Sequence, residues 1–245
     1  MKDFFSSQSK VYAAFRPTYP NELYQFLFRH VADKKIAWDC ATGNGQVAQF
    51  LSHHFDEVYA TDISQQQLDH AVPEKNIFYS KSQAEKTSFQ DNQFDLITVA
   101  QALHWFDRDL FYEEARRVAK PNAVIAVWGY GLLSIEPVID AFIMEFYNEK
   151  VGPYWDEARR LVEEEYRAIT FPFKEVKVPA FSIKVDWTLD QLSGYFSSWS
   201  ATQKYIREKG NDPVSAVINV LKKYWTKTEM TVTFPIFARM GSVKK

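Results

Sequence analysis

One cysteine, Cys40, is the whole thiol complement of this 245-residue chain, so no intrachain disulfide can form and no cysteine cluster can bind a metal. The histidines offer no metal site in its place. His53 and His54 are adjacent, and adjacent side chains on a helix diverge. No metal is expected. A basic surplus is also missing: 29 Lys and Arg stand against 31 Asp and Glu, a formal net charge of −2. Nucleic-acid binders draw much of their affinity from phosphate contacts and carry the positive charge to match. The pairs Arg159-Arg160 and Lys244-Lys245 read as solvated surface. The longest apolar run, Ala123 to Leu133, contains two glycines and is too short to span a bilayer. Met1 to Ser6 lacks the apolar stretch of a signal peptide. Together these absences predict a cytoplasmic protein whose partner is a small-molecule substrate rather than nucleic acid or membrane, with monomer and homodimer both left open.

Aromatic residues, by contrast, are abundant. Twenty Phe, thirteen Tyr and seven Trp make up 16% of the chain, which implies a bulky core together with an aromatic-lined ligand pocket. The 46% apolar and 24% charged residues are ordinary for a globular chain and allow a sizeable core.

The first half alternates strand-like and helix-like segments. Leu23, Phe26, Leu27, His30 and Val31 recur at helical spacing after Pro20. Ile36-Ala37-Trp38 reads as a buried strand ending at Asp39. Val47, Phe50, Leu51 and Phe55 mark a helix, and Val58 to Thr61 a second strand ending at Asp62. Ser64 can cap a short helix through Ala71. Ile77 to Tyr79 and Leu96 to Val99 are the next strands. A helix through Leu110, Phe111, Ala115 and Val118 comes next, and Pro121-Asn122 turns the chain into a fifth strand, Ala123 to Trp128. This rhythm predicts βαβ units and a doubly wound α/β sheet, mostly parallel, with its ligand at the carboxyl ends of the strands.

The second half breaks the rhythm. Residues 134 to about 170 and 188 to 226 read as helical, Val176 to Trp187 as extended with Pro179 interrupting it, and Thr231 to Ala238 as a last strand. The expected organisation is a core over residues 1–133, helical lid insertions around late strands over 134–228, and the final core strand over 229–245.

The chemistry is concentrated after the first strand. Asp39 closes it, and the small residues Ala41, Gly43 and Gly45 succeed it at alternate positions, as a turn with positive φ and close ligand approach requires. The helix that begins near Gly45 has free amides that favour an anionic group. Asp62 ends the second strand seventeen residues after Gly45, where a carboxylate can accept both hydroxyls of a ribose. Loop and acid together point to a nucleoside cofactor. Gly43-x-Gly45-x-x-Ala48 also satisfies the dinucleotide pattern, so an NAD(P)-linked oxidoreductase stays open on these residues alone. The acid before the loop sits awkwardly beside a pyrophosphate and suits a methionine amino group better.

Asp39-Cys40-Ala41-Thr42-Gly43-Asn44-Gly45 resembles the first motif of the class I S-adenosylmethionine (SAM)-dependent methyltransferases, with Ala41 in place of the usual first glycine. Asp62-Ile63-Ser64 is similar to the family's ribose-binding acid and its next two residues. Ser82-Gln83-Ala84-Glu85 resembles the third motif, with Gln83 where an aspartate is common. Phe94 to Ile97 with Gln101 to Phe106, and Arg116 to Asn122, are similar to the stretches around strands four and five. Outside the core, Tyr12 to Pro20, Ser198 to Ala201 and Phe234 to Arg239 resemble the branch that includes trans-aconitate methyltransferase-like proteins. The resemblance implies a Rossmann-like, seven-stranded sheet with a helical lid. It also implies SAM as cofactor, with S-adenosylhomocysteine as product, and methyl transfer to a small molecule, as an ester through a carboxylate or as an ether through a hydroxyl. A SAM-binding protein without turnover is the remaining alternative. The implied cofactor contacts are Asp39, Ala41, Thr42, Gly43, Gly45, Asp62, Ile63, Gln83, Ala84 and Gln101. From the N-terminal segment that the family places over the cofactor, Tyr12 and Tyr19 close the pocket while Arg16 holds a carboxylate or orders the cofactor's own, with a surface ion pair to a local acid as the competing role of Arg16.

Methyl transfer from an activated sulfonium chiefly requires alignment and exclusion of water, so no catalytic triad is needed, and none is visible. His104, just past the fourth strand, is the candidate catalytic residue, able to deprotonate or orient an acceptor, with packing against the cofactor as the competing role. Trp105, Tyr19 and Trp199 are candidate substrate contacts. Trp199 also fits a lid core, and Glu163-Glu164-Glu165 a solvated helix face.

Overall fold

Each central strand carries apolar side chains on both faces, which forces layers of helix onto both sides of the sheet. Ala37, Leu96, Val124, Ala126 and Trp128 enter one core cluster, while Trp38, Ile97, Ile125 and Val127 enter the other. A computed structural model describes residues 17–243. In it β1 (Ile36–Cys40), β2 (Glu57–Asp62), β3 (Ile77–Lys81), β4 (Phe94–Ala100) and β5 (Ala119–Tyr130) run parallel in the order β3-β2-β1-β4-β5. The order reverses between β1 and β4, so a crevice opens there at the strands' carboxyl ends.

On the first face lie α1 (Asn21–Phe28), with Leu23, Tyr24 and Leu27 buried, and α2 (Gln46–Ser52), with Val47, Ala48 and Leu51 buried. Ser64 caps α3 (Gln65–Leu68) by accepting from the Gln67 amide. That helix stops at Leu68, and hydrogen-bonded turns carry the chain on to Ala71. On the second face lies α4 (Arg108–Val118), capped by Asp107, whose side chain accepts from the Leu110 amide.

β6 (Lys174–Val176), β7 (Phe181–Trp187) and β8 (Met230–Ser242) complete an eight-stranded sheet among the described residues. β8 runs antiparallel to β5 on one edge; on its other edge β7 pairs with its first half and β6 with its last residues. The eight strands thus occupy seven positions, the last one broken around Pro179, which lacks the N–H a continuous ladder needs. The fifth strand starts earlier than the sequence suggests. Pro121 and Asn122 do not precede it but form a bulge inside it, with Asn122 at φ +63° and the β4 register shifting between Phe94 and Leu96.

Between β5 and β8 lie α5 (Pro137–Glu145), α6 (Arg159–Glu163), α7 (Leu189–Ser197), α8 (Ser200–Lys209) and α9 (Val214–Leu221). The acidic run does not stay helical. Glu165 and Tyr166 take φ values of +54° and +59°, which end the helix and turn Tyr166 inward, fully buried.

Candidate functional site

The loop after β1 alternates in handedness: Ala41, Gly43 and Gly45 have φ of +55°, +58° and +83°. Two of the three are glycine, and the Ala41 conformation costs about 1 kcal/mol or more. The glycines serve different ends. A Cβ on Gly43 would meet nothing nearer than Gln67 Oε1 at 4.0 Å, so a ligand has room beside it. A Cβ on Gly45 would come within 2.3 Å of the Tyr79 hydroxyl, so the close approach there is to the protein itself.

Asp39 lies under the loop, buried. It accepts from Thr42 Oγ1 at 2.5 Å and from Thr98 Oγ1 at 2.8 Å. Burial pushes its carboxyl up to about 6, against these hydrogen bonds and with a small further push from Asp62. Asp62 joins the first two strand ends. Its Oδ2 accepts from the Gly43 amide at 2.9 Å and its Oδ1 from the Ser64 amide at 2.8 Å. A carboxylate oxygen can accept more than one hydrogen bond, so these contacts are compatible with a ligand hydroxyl at the same group.

Gln101, one residue past β4, is also left-handed, at φ +56°. Its amide donates to the Trp128 carbonyl at 2.8 Å and its Nε2 to the Tyr130 carbonyl at 3.1 Å. These bonds hold it over the crevice. A cleft results, lined by Pro17, Tyr19, Asp39, Ala41 to Asn44, Gln101 and Tyr130. Tyr19 meets Trp128 edge-on at 5.6 Å.

Of the candidate residues, the fold brings Asp39, Ala41, Thr42, Gly43, Gln101 and Tyr19 to this one cleft. Gly45 and Asp62 support it from beneath and beside. Ile63, half-buried, is next to Asp62 in the chain; Gln83, exposed, and Ala84, buried, lie beyond β3. Trp199 is not at the cleft. It is 3% exposed among the helices between β5 and β8, ringed by Phe146, Tyr147, Trp155 and Phe196. Tyr12 and Arg16 lie outside the described residues.

His104 sits in a 3₁₀ turn, Leu103–Trp105, with the Trp105 ring 4.7 Å away. Its Nδ1 lies 2.9 Å from the Tyr166 hydroxyl. Burial, and then the charge of Arg159, lowers it to about 3, so the imidazole is neutral at physiological pH. Burial also pushes the Cys40 thiol up, which makes it a packed, protonated side chain rather than a nucleophile. Among the described residues no cluster of His, Cys, Asp or Glu is placed to hold a metal, and no helix is long and apolar enough to cross a membrane.

Four further contributors do not stand out in the sequence: Thr98, Tyr130, Arg159 and Tyr166. Thr98 has a signal, a lone hydroxyl inside the apolar run Leu96 to Val99. The other three have none, because only packing brings them to the site.

The methyltransferase-domain family matches residues 38–127. A Dictyostelium discoideum protein designated a methyltransferase is 34% identical over 244 residues, covering 96% of this chain and 93% of its own. The chain belongs to the class I SAM-dependent methyltransferases. The solved structure of a protein described as a type II methyltransferase from Anaeromyxobacter dehalogenans superposes with a TM-score of 0.87 at 35% identity, covering 94% of this chain and 99% of that one. A structure from Bacillus halodurans described as a methyltransferase, 16% identical over 92% of this chain and all of its own, reaches 0.52 and shares the fold alone. The cofactor of this methyltransferase is therefore SAM, and the dinucleotide reading of Gly43-x-Gly45 falls away. The residues fit that cofactor. Gly43 leaves open space, Gln67 Oε1 is a buried acceptor without a partner among the described residues, and Asp39 and Asp62 supply carboxylates at adjacent strand ends.

Proposed function

We propose that this methyltransferase methylates a small molecule bearing a carboxylate or a hydroxyl, with the reaction centred at the crevice between β1 and β4. The observation that carries the reading is the Asp62 carboxylate, at the end of β2, bound to the Gly43 amide of the loop that borders the topological switch between β1 and β4. In this reading Asp39, Ala41, Thr42, Gly43, Gly45 and Gln101 shape the methionyl end of the site. Asp62 receives the ribose, Ile63, Gln83 and Ala84 border the adenine, and Tyr12 and Arg16 cover the site from the N-terminal segment. When bound, SAM supplies an activated methyl carbon; an acceptor oxygen forms the new bond while the carbon–sulfur electron pair stays on sulfur.

His104 orients the acceptor rather than deprotonating it. A neutral imidazole with so low a basicity is a poor proton acceptor for a hydroxyl. A carboxylate is already ionised at neutral pH and releases no proton on methylation, so His104 supports the ester-forming reading. Trp105 and Tyr19 wall the reacting centre and keep water out.

Calorimetry against S-adenosylhomocysteine and NADH, then transfer of labelled methyl into a metabolite extract, tests the proposal. Binding of S-adenosylhomocysteine with label recovered in a small methyl ester or methyl ether supports it. Binding with no label recovered from any extract would leave a SAM-binding protein without turnover and overturn it.

A further inference from the structure

An aromatic ring needs no hydroxyl to fill a core, and a buried hydroxyl is costly unless it finds a partner. Tyr166, just past α6, is fully buried and carries one. The backbone is bent to put it there. Glu165 and Tyr166 are both left-handed, at φ +54° and +59°, a conformation that residues with a Cβ adopt only at a cost. The residue is then anchored at both ends. Its amide donates to the Leu161 carbonyl at 2.9 Å, and its carbonyl accepts from Arg239 Nη1 at 3.3 Å. Glu175 in turn holds Arg239 through Nε and Nη2, at 2.8 and 2.9 Å. Phe237 meets the Tyr166 ring edge-on at 4.9 Å. These contacts deliver the phenol hydroxyl to 2.9 Å from His104 Nδ1, across 62 residues of chain.

The direction of that bond decides what His104 offers. A neutral imidazole has one N–H and one lone pair, and the partner of one nitrogen fixes where the proton lies. His104 is neutral, through burial and the Arg159 charge, and burial also keeps the Tyr166 phenol protonated, well above its ordinary range. Two arrangements make the bond. In the first, Nδ1–H donates to the phenol oxygen, and the phenol's own proton is buried with no other acceptor among the described residues. In the second, the phenol donates to the Nδ1 lone pair, and the ring proton sits on Nε2. Only the second leaves no buried proton unpaired. His104 is half-buried, and Nδ1 is its one ring nitrogen that bonds to a described residue, so Nε2 is the nitrogen available to a ligand.

We propose that Tyr166 is a positioning residue for methyl transfer: its hydroxyl donates to His104 Nδ1, fixes the imidazole proton on Nε2, and so presents the acceptor with an N–H donor in place of a base. The proposal rests on the methyl-transfer reading of the site. An N–H donor engages a lone pair of the acceptor and takes no proton from it. That suits an oxygen that arrives already ionised, a carboxylate, over a hydroxyl that must lose its proton as the methyl ester or ether forms.

The test records the His104 ring nitrogens by long-range proton–nitrogen NMR, near neutral pH, in the full chain loaded with S-adenosylhomocysteine. The wild type is expected to show Nδ1 unprotonated and Nε2 protonated. Tyr166→Phe keeps the ring and removes the donor. It should give a mixture of the two ring forms and lower labelled methyl transfer from SAM into a metabolite extract by about tenfold, the scale of one hydrogen bond, with S-adenosylhomocysteine affinity unchanged. A wild-type ring with its proton on Nδ1 overturns the proposal. So does a Tyr166→Phe protein that keeps the single Nε2–H form and full transfer. Should that variant melt far below wild type, the bond is read in the wild type alone, from the Tyr166 hydroxyl proton, which correlates with Nδ1 if the phenol donates and does not if it accepts. Failure of S-adenosylhomocysteine to bind, or no labelled product from the wild type, would instead sink the methyl-transfer reading, and the ring nitrogens of the unloaded protein would still report the Tyr166–His104 bond.

Discussion

Asp62 holds the Gly43 amide through Oδ2 and the Ser64 amide through Oδ1, at 2.9 and 2.8 Å, so one carboxylate sets the spacing of the loops after β1 and β2. Both bonds are charge-assisted, a class worth about 1.5–3 kcal/mol each. Asp62→Ala should therefore weaken S-adenosylhomocysteine binding by about tenfold to a hundredfold while the fold persists, as calorimetry beside far-UV circular dichroism would show. Unchanged affinity would remove Asp62 from the site.

Asp39 gives a pH signature. Its folded-state carboxyl is raised to about 6 from an unfolded value near 3.8, so the native state binds the extra proton. The stability this confers is complete below the unfolded value and is lost as pH rises through about 6, a swing on the order of 3 kcal/mol. Asp39→Asn keeps hydrogen bonding to Thr42 and Thr98 available without the buried charge. Relative to wild type, the variant should gain stability between about pH 4 and pH 7. A difference in urea midpoint that is the same at both ends of that range would contradict the burial argument.

His104 has the opposite sign. Its folded value of about 3 lies below the unfolded 6.5, so its contribution is present above 6.5 and is lost as pH falls towards 3. Its orienting role predicts that turnover shows no ionisation from His104 between about pH 5.5 and 8. His104→Gln, neutral and polar, should keep most activity, whereas His104→Ala should lose roughly tenfold or more, in line with removal of a single positioning group. A turnover profile with a His104-dependent limb near the ordinary imidazole value of about 6.5 would restore the general-base role.

Gly45 is set by Tyr79 rather than by ligand. Gly45→Ala should cost on the order of 2 kcal/mol, from the left-handed backbone and the clash with the phenol. Combining it with Tyr79→Ala should recover part of that loss. Urea unfolding of the four proteins in the cycle measures the coupling, and strict additivity would show that the clash relaxes elsewhere.

Much of this is legible in the chain. The strands β1 to β5 announce themselves because central parallel strands are apolar on both faces, and the Asp39–Gly45 loop because its backbone handedness demands small residues at alternate positions. Pro179 marks the break between β6 and β7, since a proline cannot donate to the ladder. Local signals fail where the cause is not local. Pro121-Asn122 reads as a turn, yet the strand resumes across it because both neighbouring strands continue to pair. Glu163 to Glu165 reads as a solvated helix, yet the left-handed backbone at Glu165 and Tyr166 ends the run by turning Tyr166 inward.

The sequence by itself determined the doubly wound sheet, the placement of Asp39 and Asp62 at adjacent strand ends, and the nucleoside character of the cofactor, because each arises from periodicity or backbone constraint within a short stretch. Only the tertiary structure decided that His104 is neutral, that Trp199 is buried among the helices between β5 and β8 and not at the cleft, and that Arg159 lies over the adjoining Tyr147 and Trp155 rings, outside the ion pairs of the described residues. Those are properties of burial and of neighbours far apart in the chain, such as His104 and Tyr166, 62 residues distant, and no local pattern encodes them.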